Sequence, residues 1–418
     1  MKMNYIFLDI ESSGASTNYD SILEVAAVLT NDKLQTLSTF HRKARLKEGV
    51  VPNLGALSVT GFDVNWLKQN PSPYSLIVDT EKQFKEWGPA CFFGYNSQFF
   101  DFIFFQKAFF QYLKPPYLLN TGGNKQGDIL NVIRAAKLIN NSVIETPMTE
   151  KGNPSFRLSD LMKHQDAHGA MPDTEACLSV AKKVYEKANT VWKSSLLTLS
   201  RAETENLLSK EKLFCNLEYF YGRIRIFLVK FLFFHEIYRW GVCWDLQHAP
   251  EDYIKMEYNE LKKALSKSPK VLRTVKTNKS PVLLNSSYGY DSQNYKKIPK
   301  EIIQKRIQLL DSSPEFLERI NSILIEQHEE RSERDQKEDL QPEETLYGGG
   351  FASEKDNQMM QKFHSLAWEE KLKLIDKFSD ERYSFFAKKI IYEEKPEILP
   401  DSISKEIKQN IAKRISLR

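Results

Sequence analysis

Tyr5-Ile-Phe-Leu-Asp-Ile-Glu11, followed by the turn Ser12-Ser-Gly14 and the apolar run Ile22-Leu-Glu-Val-Ala-Ala-Val-Leu29, decides the fold. A short apolar run that ends in acid reads as a buried strand. Residues 22–29 read as a second strand and 37–45 as a third, with Asn31-Asp32 marking the turn between them. Further on, residues 90–93 form one more apolar strand, and helical patterns cover 98–112, 129–139, 158–164 and 173–188. Asp128 is placed to cap the second of these helices. Strands first, then helices interleaved with a strand, predict a mixed α/β domain over residues 1–190.

The pattern then changes. Residues 219–245 are dense in β-branched and aromatic residues, with Gly222 and Gly241 as punctuation. With short strands expected at 271–275 and 281–284, they predict a small β-rich domain over 200–285 that holds a helical insert at 250–265. From Pro299 the patterning is helical, which gives a third, helical domain over 286–418. Within it, residues 326–344 carry almost no apolar side chains and read as a solvated helix or a disordered linker. A length of 418 residues accommodates three domains at ~150 residues each.

Hydrophobic content of 41% and charged content of 27% are those of a soluble globular protein, and a net charge of +4 does not by itself imply a polyanionic partner. The four cysteines, Cys91, Cys177, Cys215 and Cys243, are far apart and suggest neither a zinc site nor a disulfide framework. The apolar stretch 224–234 is too short to span a bilayer and is interrupted by Lys230. With no signal-peptide pattern at the N-terminus, a cytoplasmic protein without membrane association is expected.

Asp9 and Glu11 stand two apart on a strand, so both carboxylates leave one face. Asp101 falls in the first turns of a helix, after Gly94-Tyr-Asn96, and His168 and Asp173 bracket the entry to another. Each piece alone is unremarkable: a solvated strand end, an acid favoured by a helix dipole, an N-cap. Together they bring four carboxylates and one imidazole to the mouths of neighbouring elements. Such a set of hard oxygen donors suits Mg²⁺ or Mn²⁺. Two ions about 3.5–4 Å apart activate a water and stabilise a leaving oxygen, and a histidine takes the water's proton. That is chemistry for phosphodiester hydrolysis.

The set resembles the DEDDh class of 3′–5′ exonucleases, with Asp9, Glu11, Asp101, His168 and Asp173 at its five defining positions. Gly94-Tyr-Asn96, Pro154-Ser-Phe-Arg-Leu158, Lys276-Thr-Asn-Lys-Ser-Pro-Val-Leu283 and Leu346-Tyr-Gly-Gly-Gly-Phe351 are similar to motifs of the bacterial exodeoxyribonuclease I family. The resemblance thus runs through most of the chain. It implies a ribonuclease H-like exonuclease domain, an SH3-like β domain and a helical domain that close around single-stranded DNA and degrade it to mononucleotides, in DNA repair and recombination. It implies two Mg²⁺ ions, with Mn²⁺ as a substitute, held chiefly by Asp9, Glu11 and Asp173, with Asp101 supporting the second. His168 is implied as general base. Ser12, Tyr95, Arg157 and Lys276 are implied as DNA contacts, and the tail of single-strand binding protein as a partner of the basic outer surface. A monomer is expected. The stretches 119–125 and 251–266 and the final helices depart from the family's pattern.

Lys267, Lys270, Arg273, Lys276 and Lys279 recur at threes, as a solvated strand face or a track for phosphates. Lys388, Lys389, Lys413 and Arg414 make the tail basic, which a solvated helix face explains. Phe99, Phe100, Phe102, Phe104, Phe105, Phe109 and Phe110 surround Asp101 and are expected mostly in the core. Two other functions fit the same residues: a 3′–5′ exoribonuclease, which differs in its treatment of the 2′-hydroxyl, and a non-catalytic module that binds single strands.

Overall fold

The computed structural model describes residues 3–47, 50, 52–53, 55, 68–162, 169–334 and 340–416. Two compact units interleave along the chain. One comprises Met1–Lys125, Met162–Leu178 and Asp339–Arg418, the other Gln126–Leu161 and Ser179–Glu338.

In the first unit β1 (Asn4–Ser12), β2 (Ile22–Thr30), β3 (Thr36–Lys43) and β4 (Ala90–Gly94) stand in the order β3-β2-β1-β4. β1 pairs antiparallel with β2 and parallel with β4, and β2 pairs antiparallel with β3. β2 is buried along its whole length, as expected of a strand with neighbours on both edges and covered faces. Its register sets Glu11 opposite Glu24, Glu24 opposite Lys43, and Asp9 opposite Ala26. The helix Pro73–Trp87, capped by the Ser72 hydroxyl, packs Phe84 against Phe92 and Phe105. The phenylalanines near Asp101 follow the expectation: Phe102, Phe104, Phe105, Phe109 and Phe110 are buried and Phe100 is half-buried, whereas Phe99 is 56% exposed. The helices after residue 340 share this core, with Phe110 packed edge-on against Phe386.

In the second unit β6 (Leu213–Phe220), β7 (Arg223–Phe234), β8 (Gly241–Asp245), β9 (Leu272–Val275) and β10 (Leu283–Asn285) form an antiparallel sheet, ordered β10-β6-β7-β8-β9; β5 (Lys125–Asp128) precedes them in the chain. The helix Ile129–Ile139 is capped by the Asp128 carboxylate, which accepts from the Leu130 N–H, as its sequence predicts.

Three sequence expectations change. Residues 98–112 are not one helix: a 3₁₀ turn at Ser97–Phe99 precedes the helix Asp101–Gln111, because Phe100 leaves helical geometry at φ −135° and ψ −82°. The basic row at 267–279 is not one solvated face. Arg273 points inward from β9, pairs with Glu218 at 3.1 Å and Asp245 at 3.2 Å, and stacks 3.5 Å over Phe227. A buried carboxylate such as Asp245 needs that partner. Similarly Lys389 of the basic tail is buried against Glu343.

The charged stretch that begins at Glu326 continues the helix Pro314–Arg334. Tyr258 and Lys262 of the helix Tyr258–Ser266 hold it: the Tyr258 hydroxyl donates to Glu326, and Lys262 pairs with Glu326 and Glu330 at 2.9 Å each. Residues 335–339 lie outside the described ones. Among the described residues no helix is long and apolar enough to cross a membrane.

Candidate active site

Asp9 and Glu11 leave the same face of β1, as the two-residue period requires. Asp101 is the first residue of its helix, delivered by the turn after β4. Gly94 makes that turn possible. A Cβ there would collide with the Ser97 hydroxyl and lie 3.1 Å from the Leu8 carbonyl oxygen. Asn96 takes the left-handed conformation, φ 65°, that asparagine tolerates better than most residues. One Asp101 carboxylate oxygen accepts from the Ile10 N–H at 3.2 Å, which ties this helix to the strand between the two acids. Asp173 lies in the first turn of the helix Ala170–Lys187, which begins three residues before the sequence-predicted start. Its own N–H donates to the Gly169 carbonyl at 3.2 Å, so Asp173 sits inside the first turn and does not cap it.

The result is a convergence of acids. One ligand oxygen each from Asp9, Glu11 and Asp173 lies within 4.8 Å of the others. Burial, then the nearby Asp101, Glu11 and Asp173 carboxylates, hold the Asp9 carboxyl well above its usual range. Burial, followed by the charges of Asp173, Glu24 and Asp101, pushes Glu11 up to about 7, with Lys43 acting in the opposite sense. Carboxylates crowded in this way repel one another unless a cation joins them. The donors are all oxygens, so the set fits a hard divalent ion such as Mg²⁺.

A pH dependence follows. Glu11 has a higher pKa folded than unfolded, so without a cation stability declines as pH rises from about 4.5 through about 7. Allowing for its partial exposure, Glu11 accounts for roughly 2 kcal/mol of this loss. Thermal unfolding between pH 5 and pH 8 in a chelator should show the midpoint falling. Added Mg²⁺ should flatten the profile, and a chelated protein with a midpoint rising over that range would contradict the electrostatics.

Of the other residues picked out by sequence, Ser12 is buried next to Glu11 and its hydroxyl donates to the Gly14 carbonyl at 2.7 Å. Tyr95 is half-buried in the turn after β4. Arg157 and Lys276 are exposed and belong to the second unit. His168 lies outside the described residues. The sequence reading missed Glu24, which faces Glu11 across β1 and β2 and whose charge acts on both Asp9 and Glu11. Its signal was a lone charge in an otherwise apolar strand.

Residues 6–181 match the RNase_T exonuclease family model. Exodeoxyribonuclease I of Buchnera aphidicola (from Acyrthosiphon pisum) is 29% identical over 195 residues, 44% of this chain and 46% of that protein. The chain therefore matches less than half the length of this curated relative. In three dimensions the similarity extends over 99% of the chain. The structure of E. coli exonuclease I in complex with a dA16 oligonucleotide superposes with a TM-score of 0.83 at 19% identity, covering 91% of that chain. A structure of SSB/exonuclease I with the inhibitor CFAM gives 0.81 at 19% identity, again with 99% and 91% coverage. Residues 6–181 thus match the RNase_T exonuclease family model, and the chain has, nearly from end to end, the fold seen in E. coli exonuclease I.

Proposed function

We propose that this protein is a Mg²⁺-dependent 3′–5′ exonuclease that degrades single-stranded DNA to 5′-mononucleotides, in DNA repair or recombination. The observation that carries the reading is the approach of Asp9, Glu11 and Asp173 to within 4.8 Å beside Asp101. These four acids would hold two divalent ions, with Asp101 supporting the second. When bound, the ions would lower the pKa of the attacking water and stabilise the leaving 3′-oxygen. His168 would act as the general base that accepts the proton of the attacking water. Asp101, bonded to the Ile10 N–H, keeps β1 and its own helix in register, so that the acids on both elements face one substrate phosphate. Ser12 would contact the terminal nucleotide, and Tyr95, Arg157 and Lys276 are the other DNA contacts of this reading.

Along the sequence we read 1–190 as the nuclease part and 200–285 as an SH3-like β part. Residues 286–418 are the helical part, whose last segment shares the nuclease core. The similarity to an exonuclease I crystallised with an oligonucleotide supports single-stranded DNA as substrate, and the one with SSB supports the single-strand binding protein tail as a partner. We read the protein as a cytoplasmic monomer that accepts Mn²⁺ in place of Mg²⁺.

A time course on 5′-labelled single-stranded DNA, duplex DNA and a matched RNA tests this. The expected result is Mg²⁺-dependent shortening of the single-stranded DNA to a descending ladder, slow attack on the other two, and no product in chelator. Faster turnover of RNA would replace this reading with an exoribonuclease. Binding without release of nucleotide would replace it with a silent single-strand binder.

A further inference from the structure

Glu24 is 2% exposed, near the start of β2. Its cross-strand neighbours are Glu11 on one side and Lys43 on the other. One carboxylate oxygen lies 2.6 Å from His41 Nε2, and the other 3.5 Å from Lys43 Nζ. His41 reaches it from beside Ala26, whose small side chain leaves room between Asp9 and His41 in the same cross-strand row. Glu24 also approaches the third element of the site. A Cβ at Gly169 would sit 3.8 Å from its Oε1, and Gly169, at φ +152°, opens the helix that carries Asp173.

This placement is costly for a purely architectural residue. Like charges directly opposite on a sheet repel, and Glu11 and Glu24 are such a pair. Among the described residues, the cations paired with Glu24 are His41 and Lys43, on the side away from Glu11. A glutamine would keep the hydrogen bond to His41 without the repulsion, so the negative charge serves something on the side of the acids. Groups just outside the ligands of a metal commonly orient them and tune affinity.

Building on the proposed nuclease function, we infer that Glu24 is a positioning residue of the cation site, anchored by His41 and Lys43. It fixes the Glu11 carboxylate and the start of the Asp173 helix, and it adds negative charge to the pocket wall. It sets affinity for the divalent ions without touching substrate.

The test is Mg²⁺ binding by titration calorimetry on the full chain, for wild type, Asp9→Asn, Glu24→Gln and His41→Gln, alongside thermal unfolding in chelator. Glu24→Gln should bind Mg²⁺ about 10–100-fold more weakly, with no loss of stability in chelator. The Mg²⁺ needed for half-maximal nuclease rate should rise by the same factor, and the rate should recover at saturating Mg²⁺. His41→Gln should shift affinity in the same direction by less. Wild-type affinity in Glu24→Gln, or lost stability with unchanged affinity, would show that Glu24 serves only the fold. If Glu24→Gln does not fold, His41→Gln decides, since the His41 side chain is 39% exposed; unchanged affinity there overturns the inference. If wild type and Asp9→Asn bind Mg²⁺ alike, the cation site itself is absent, and both this inference and the proposed function fall.

Discussion

Asp9→Asn should reduce release of mononucleotides by roughly 10³-fold or more, the effect of losing several kcal/mol of charge stabilisation at the reacting phosphate. The same substitution should raise the unfolding midpoint of the protein in chelator. The reason lies in the crowding: Asp9 is held well above its usual pKa by burial and by four neighbouring acids, so its ionised form strains the fold. Asparagine keeps the shape and removes the charge. Single-stranded DNA should still bind, because the proposed DNA contacts are assigned to other residues, Arg157 and Lys276 among them. The combination separates a metal ligand from a structural residue, whose loss lowers activity and stability together. Wild-type turnover in Asp9→Asn, or lowered stability in chelator, would remove Asp9 from the cation site.

The second large effect is expected at His168. Replacing a general base lowers the rate by roughly 10²–10⁴-fold, so His168→Ala should fall in that range at saturating Mg²⁺, with Mg²⁺ affinity close to wild type. The wild-type rate should decline as pH drops through the ordinary histidine range near 6.5, as the imidazole takes up the proton it must accept from water. His168→Ala should lose that limb of the profile. A flat wild-type rate from about pH 5 to pH 8, or a variant with full activity, would contradict the assignment.

Much of the site was readable from sequence because its geometry follows from short-range rules. The two-residue period of a strand puts Asp9 and Glu11 on one face, and Gly94-Tyr-Asn96 announces the turn that sends Asp101 to a helix start. What escaped depends on pairing between distant strands. Glu24 becomes part of the site only once the register of β1 and β2 sets it opposite Glu11. Arg273 looked like one member of a basic row until β9 turned it inward to Asp245. Residues 326–334 looked as much like a linker as a helix, since the ion pairs from Lys262 that hold Glu326 and Glu330 join positions more than 60 residues apart. Phe99 differs from its buried neighbours because it sits in the 3₁₀ turn, before the helix that packs the others on the sheet.

Everything turns on whether a divalent ion occupies the acid cluster. Crystals of the full chain soaked in Mn²⁺ and measured at the manganese absorption edge address this directly. The account predicts an anomalous peak among the Asp9, Glu11 and Asp173 carboxylates, and its loss in Asp9→Asn crystals treated alike. A wild-type cluster without such a peak at saturating Mn²⁺, or a peak that persists in Asp9→Asn, would contradict it.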